Sequence, residues 1–214
     1  MHQGEHRDQE EWERRQVLRV RVRDGDADAF GELFDAYARS VYNHAYRLTG
    51  DWAQAEDIVS LTFLDAWRLR DRLDAEGGSV RPWLLGIATN VTRNTRRAAR
   101  RHAAAVARLP RDEVVADFAE VVAGSLDDRE QLALVRTALA SLRRAEREVL
   151  ALCVWSGLDY AAAARALGIP VGTVRSRLSR ARAKLARAVE PRKRPGQPGD
   201  DRTSAVRPIR EGNR

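Results

Sequence analysis

The sequence predicts an all-α protein of two small helical domains joined by a flexible linker, and three observations carry that prediction. Apolar residues recur at helical spacing along most of the chain, no stretch alternates as a strand would, and an acidic, alanine-rich segment splits the helical stretches into two groups. At 214 residues the chain can supply one large core or two small ones.

Residues 1–18 are polar and charged, the composition of a disordered lead. Asp26-Ala27-Asp28 then opens a helix with the apolar stripe Phe30, Leu33, Phe34, Tyr37 and Val41, its acids near the positive end of the helix dipole. Thr49-Gly50-Asp51 stops that helix and starts another, which carries Ala55, Ile58, Val59, Thr62, Phe63, Ala66 and Trp67 on one side. Asp74-Ala75-Glu76-Gly77-Gly78-Ser79 reads as a loop. A helix beginning near Arg81 or Pro82 buries Leu84, Ile87, Ala88 and Val91, with Trp83 beside them, and runs into Arg93, Arg96, Arg97, Arg100 and Arg101. These helices close a first domain over residues 19–101.

Residues 102–128 are alanine-rich, acidic and weakly patterned, broken by Pro110 and Gly124, and read as a linker. A second domain, 129–189, starts with Leu132, Val135, Leu139 and Leu142 on one helix and continues through the apolar run Val149 to Trp155. Residues 190–214, rich in Pro, Gly and charge, have the composition of a disordered basic tail.

The end of the second domain is the most informative stretch. An alanine-rich helix reaches Gly168, suited to the left-handed residue that stops a helix, and Pro170 sits where the next begins. Two helices joined by so short a turn make a helix-turn-helix, whose second helix lies in a DNA major groove. At about 100° per residue, Val174, Leu178, Ala181 and Leu185 form a core-facing stripe. Gly172, Ser176, Ser179, Arg180 and Ala183 fall opposite, with Arg175, Arg177, Arg182 and Lys184 on the flanks. Small outward residues would let the backbone approach base edges while flanking cations reach phosphates. No acid occurs between Gly168 and Val189.

Charge repeats the division. The net charge is +7 and the pI about 10.4, a balance that favours a polyanionic partner. No acid lies between Arg81 and Arg111; Asp112, Glu113, Asp117, Glu120, Asp127, Asp128 and Glu130 follow; after Gly168 the chain is basic again. Two cationic blocks separated by an anionic one imply two nucleic-acid contacts. Cys153 is the only cysteine, which excludes an internal disulfide or a cysteine-rich zinc site, and it sits in an apolar run as a buried small hydrophobe. The four histidines lack metal-ligand spacing. No apolar run approaches the ~18 residues of a membrane span, and residues 1–15 lack a signal-peptide hydrophobic region, so a cytoplasmic protein is expected. Without a glycine-rich phosphate loop, nucleophile elbow or paired-carboxylate constellation, no enzyme, cofactor or metal is expected.

Several motifs stand in order between residues 25 and 188: Asp26-Ala27-Asp28-Ala29-Phe30-Gly31-Glu32-Leu33-Phe34, Arg47-Leu48-Thr49-Gly50-Asp51, Ala55-Glu56-Asp57-Ile58-Val59, Phe63-Leu64-Asp65-Ala66-Trp67-Arg68, the run Gly78 to Asn90, and the run Pro170 to Leu178. This ordered set resembles the extracytoplasmic-function sigma factors, the smallest class of the bacterial sigma-70 group. The resemblance implies a region 2-like bundle for core binding and the −10 element, and a region 4-like domain for the −35 element. It implies binding to core RNA polymerase, at a coiled coil of the largest subunit and at the flap region, together with promoter DNA. An anti-sigma factor is a further partner that many relatives have.

By the same resemblance, Glu56, Asp57 and Trp67 dock on the polymerase, although Asp57 read alone could be only a solvated acid. Ser60-Leu61 stand where the family pattern has Gln-Glu, which removes a carboxylate facing basic residues of the polymerase. The loop at Asp74, Glu76, Gly77, Gly78 and Ser79 would hold a flipped base of the −10 element, with Asn90, Arg93, Arg96 and Arg97 clamping phosphates and neighbouring bases. Resemblance and helical wheel agree on Ser176, Ser179 and Arg180 as −35 readers, and the family pattern adds Arg175. Thr173, Arg177, Arg182 and Lys184 are phosphate contacts, which position without reading sequence. The acidic linker suits a positively lined RNA exit path, or is an ordinary solvated connector. The competing reading is a stand-alone helix-turn-helix regulator, which would leave the first cationic block unexplained.

Overall fold

The computed structural model describes residues 2–74, 78–106 and 137–189. The expected linker beyond Val106, the tail at 190–214, Leu132, Val135, Glu76 and Gly77 lie outside the described residues.

The helices of the first bundle are α1 (His2–Arg23), α2 (Ala27–Thr49), α3 (Trp52–Arg68) and α4 (Arg81–Val106), with a 3₁₀ turn at Arg70–Arg72. Their boundaries follow from local chemistry. Asp26 caps α2 by accepting the N–H groups of Asp28 and Ala29 at 2.9 and 3.0 Å. Gly50, at φ 74°, ends it in the left-handed conformation, and Asp51 caps α3 through the Gln54 N–H. Leu33, Val41, Ile58, Ala66, Leu84 and Ala88 fill the space between α2, α3 and α4.

The second bundle has a helical turn at 137–140, α5 (Arg144–Leu150) with a π-helical turn at Ala151–Trp155, α6 (Tyr160–Leu167) and α7 (Val171–Val189). Asp159 caps α6 through the Ala162 N–H at 2.7 Å. Gly168, at φ 63°, ends α6, and the Ile169 N–H reaches back to the Ala164 carbonyl. The Pro170 carbonyl then accepts from Thr173 and Val174, so the turn is as tight as the sequence requires. Val174, Leu178 and Ala181 are buried and Leu185 packs against the same core, as the wheel predicts.

Three expectations are corrected. The polar lead is helical from His2, favoured by charged helix formers and tied down where Leu18, Arg19 and Val22 meet the first bundle. The segment from His102 continues α4 to Val106. Phe34, expected in the core, is 43% exposed and leans on Phe63 with ring centroids 4.8 Å apart, because it sits at the edge of the α2 stripe. Trp83 and Cys153 are partly buried against the core, and burial raises the Cys153 thiol pKa.

The largest departure from the sequence reading is the contact between bundles. Helix α4 is buried on two sides: Leu84 and Ala88 face α2 and α3, while Gly86 faces α6. A Cβ on Gly86 would lie 2.6 Å from the Ala166 carbonyl oxygen, so only glycine permits this approach. Buried residues of both bundles therefore belong to one continuous cluster.

Between α2 and α4, His44 is fully buried and shares a 2.9 Å hydrogen bond with Thr89. Desolvation, and then the charges of Arg47 and Arg81, lower its pKa to about 3. A folded pKa below the unfolded value of about 6.5 means the unfolded chain binds the proton first. Stability from this group is complete above about pH 6.5 and is lost as the pH falls toward 3. Denaturant melts at pH 7 and pH 4 are expected to differ less for His44→Leu than for the parent chain; an equal pH dependence would contradict this.

Candidate nucleic-acid interface

Helix α7 presents its expected DNA-facing side to solvent. Arg175, Ser176, Ser179, Arg180 and Arg182 are exposed, and Thr173 and Arg177 are half-exposed. Arg180 folds back along its own helix, donating to the Ser176 carbonyl at 3.1 Å and the Ser176 hydroxyl at 3.3 Å. Those bonds are exposed and local, so a base edge can replace them at little cost. Arg175 lies 5.8 Å from the Tyr160 ring centroid, a cation–π contact that joins the two helices of the motif.

Lys184 does something different from its expected role. Its ammonium donates to Glu146 at 2.7 Å, and that carboxylate also accepts the Arg143 N–H at 2.9 Å. Burial pulls the Glu146 pKa up, but the bonds from Lys184 and Arg143 outweigh it and leave the pKa lowered. Lys184 thus ties α7 to the start of α5.

On the first bundle, Asp74, Gly78 and Ser79 flank residues 75–77 and are exposed, as are Asn90 and Arg97 on α4. Arg93 and Arg96 point elsewhere. Arg93 makes a fork-like pair with Glu148 of α5, Nε to Oε1 at 2.8 Å and Nη2 to Oε2 at 2.7 Å. Arg96 donates to the Leu48 carbonyl at 2.7 Å, and burial, then the charges of Arg147, Arg100 and Arg144, lower its pKa. Arg93, Arg96, Arg144 and Arg147 gather around Glu148 in a small crevice between the bundles.

Sequence reasoning missed two residues here. Glu148, with 3% of its surface exposed, stood at the end of the charged run Arg143 to Arg147, with no signal of its partner 55 positions away. Arg19 of α1 is 5% exposed and donates to the Asp74 and Gly78 carbonyls, the latter at 2.6 Å. Burial lowers its pKa, with Asp74 opposing. It stands at the boundary drawn between lead and first domain, in a run of alternating arginines and apolar residues that singles out none of them.

On α3, Glu56 and Asp57 are exposed on the side that also shows Ser60, Leu61 and Leu64. Trp67 is half-buried, edge-on to Phe30 at 5.0 Å and covered by the Arg70 guanidinium at 4.7 Å. Only the two acids of the expected docking set are fully presented.

A helix-turn-helix with a cationic outward face, attached to a second helical bundle with an arginine-rich helix, defines a DNA-reading transcription protein. Residues 33–102 match the sigma-70 region 2 family model and residues 132–185 match sigma-70 region 4. The chain is 33% identical over 171 residues to the RNA polymerase sigma factor NccH of Alcaligenes xylosoxydans, covering 79% of this chain and 91% of that one. It is 34% identical over 146 residues to the ECF RNA polymerase sigma factor SigL of Mycobacterium tuberculosis, covering 68% and 80%. The sigma factor RpoE of Bartonella quintana, solved with the anti-sigma factor NepR, superposes with a TM-score of 0.59 at 28% identity, covering 74% and 95%.

The chain belongs to the ECF class of the sigma-70 family: it binds core RNA polymerase and promoter DNA and directs promoter-specific initiation. Matches across both bundles disfavour a stand-alone regulator. Among the described residues no helix is long and apolar enough to cross a membrane.

Lys184→Ala is expected to destabilise the second bundle by roughly 1–3 kcal/mol in denaturant melts, because Glu146 stays buried with one partner fewer. An unchanged melt, with a salt slope for DNA binding lower by about one unit, would restore Lys184 to phosphate contact.

Proposed function

We propose that the α7 surface reads the −35 element, with Arg175, Ser176, Ser179 and Arg180 at base edges and Thr173, Arg177 and Arg182 on phosphates. The observation carrying this is the exposed, acid-free face of α7 opposite the buried stripe Val174, Leu178 and Ala181. Phosphate contacts position a protein, whereas arginine pairing with guanine supplies sequence discrimination of about 1–3 kcal/mol.

The first unit, residues 19–101, opens and holds the −10 element. The segment Asp74, Glu76, Gly77, Gly78 and Ser79 takes a flipped base, and Asn90, Arg93, Arg96 and Arg97 take adjoining phosphates and bases. Unstacking a base costs a few kcal/mol, which a cationic helix beside the segment offsets. The second unit is residues 129–189, and the residues between Val106, where α4 ends, and 129 connect the two. Glu56 and Asp57 meet the polymerase, and exposed Leu61 and Leu64 supply apolar contact where the family pattern has a carboxylate. Trp67 supports that face from behind, packed on Phe30.

The protein acts in the cytoplasm as a subunit that polymerase borrows, without bond-making chemistry of its own. The sigma factor RpoE of Bartonella quintana, solved with an anti-sigma factor, supports a comparable inhibitor for this chain.

Transcription by core polymerase on a promoter library tests the reading. The chain is expected to create new, promoter-specific starts. Arg180→Ala is expected to reduce starts selectively by −35 sequence, by about 1–3 kcal/mol of discrimination. Equal loss on every promoter would reassign Arg180 to phosphate.

A further inference from the structure

We infer that Arg19 is a positioning residue for −10 recognition, an inference that rests on the reading of residues 74–79 as the base-capturing segment. Its guanidinium sits on α1 and donates to the Asp74 carbonyl through Nε and to the Gly78 carbonyl through Nη1. These carbonyls bracket residues 75–77. One rigid, planar fork therefore fixes where the chain leaves and re-enters the segment. Helix α1 thereby acts on promoter melting without touching DNA. Lysine, a point donor on a flexible stem, can hold one carbonyl but not both at fixed spacing.

Arg19→Leu and Arg19→Lys in the full chain, with core polymerase and a promoter library, test this. Expected is a several-fold loss of base discrimination at −10 with −35 preference unchanged, smaller for lysine than for leucine. A folded Arg19→Lys with undiminished −10 discrimination, or equal loss at both elements, overturns the inference. Ser79→Ala and Asp74→Ala report separately on the segment. If they alter −10 selectivity while Arg19 variants do not, only the positioning role fails. If none alters it, the segment's reading fails as well.

A second inference rests on separate observations. We propose that the contact between bundles is an autoinhibitory latch, in which Glu148 occupies Arg93 in place of DNA. Elements centred 25 base pairs apart lie roughly 85 Å apart along duplex DNA at about 3.4 Å per base pair. Here α4 touches α6, and α6 packs on α7, so at about 8–10 Å per packed pair the axes of α4 and α7 lie within roughly 20 Å of each other. The packed conformer cannot read both elements. It also withholds Arg93 from phosphate and leaves α7 exposed, whereas Arg96 is held within its own bundle by the Leu48 carbonyl. Gly86 permits the approach, and Arg47 adds a bond to the Trp155 carbonyl at 3.2 Å.

Gly86→Leu and Glu148→Gln unlatch it from opposite sides. Gly86→Leu keeps the charge, and the nearest atoms its added Cβ meets are those of the Ala166 backbone in the second bundle. The full chain is expected to expand in small-angle X-ray scattering. Its binding to a random 20-nucleotide single-stranded DNA is expected to gain a salt slope of about 0.7 for the released Arg93. An expanded Gly86→Leu with unchanged binding and slope overturns the latch, as does a Gly86→Leu chain that stays compact. Glu148→Gln agrees only if its gain exceeds the effect of losing one negative charge at an exposed control, Asp35→Asn.

Discussion

Helix α4 is asked to serve two surfaces at once, and the rest of the structure depends on how it does so. Its Leu84 and Ala88 side is the spine of the first bundle, while Gly86 and Arg93 face the second. A helix apolar on two sides must be covered on both. The pairing of Arg93 with Glu148 completes that cover: a nearly buried carboxylate is costly unless a cation meets it, and this cation comes from the set proposed to contact DNA. The same arginine cannot hold Glu148 and a phosphate together, so on the proposed reading packing and promoter binding compete for one side chain.

Elements that sequence reasoning identified are those set by neighbours in the chain. Asp26 and Asp51 cap the helices they precede, and Gly50 and Gly168 end helices in the left-handed conformation. The α7 stripe follows from helical geometry alone. Contacts that escaped it join distant positions: Arg93 and Glu148 are 55 residues apart, Arg19 and Gly78 are 59, and Lys184 and Glu146 are 38. Nothing local distinguishes an arginine that will meet a carboxylate from one that will meet DNA. The second covered side of α4 did carry one signal, Gly86, a glycine inside a helix with no turn to make.

The −35 and −10 readers consequently differ in kind. The face of α7 is pre-formed: its cations are exposed, its stripe is anchored, and Lys184 fixes its far end to α5. The −10 face is conditional, since Asn90 and Arg97 are presented while Arg93 and Arg96 are engaged. A subunit held this way keeps part of its cationic surface, Arg93, paired with a carboxylate.

The central claim is that one chain reads two promoter elements too far apart for its packed form to span. Energy transfer between dyes at the exposed positions Arg39 and Arg187 measures this directly, in the free protein and in a transcribing complex with polymerase and promoter. High transfer that collapses on promoter engagement is the predicted result. High transfer retained in a complex that still initiates at both elements would contradict the account.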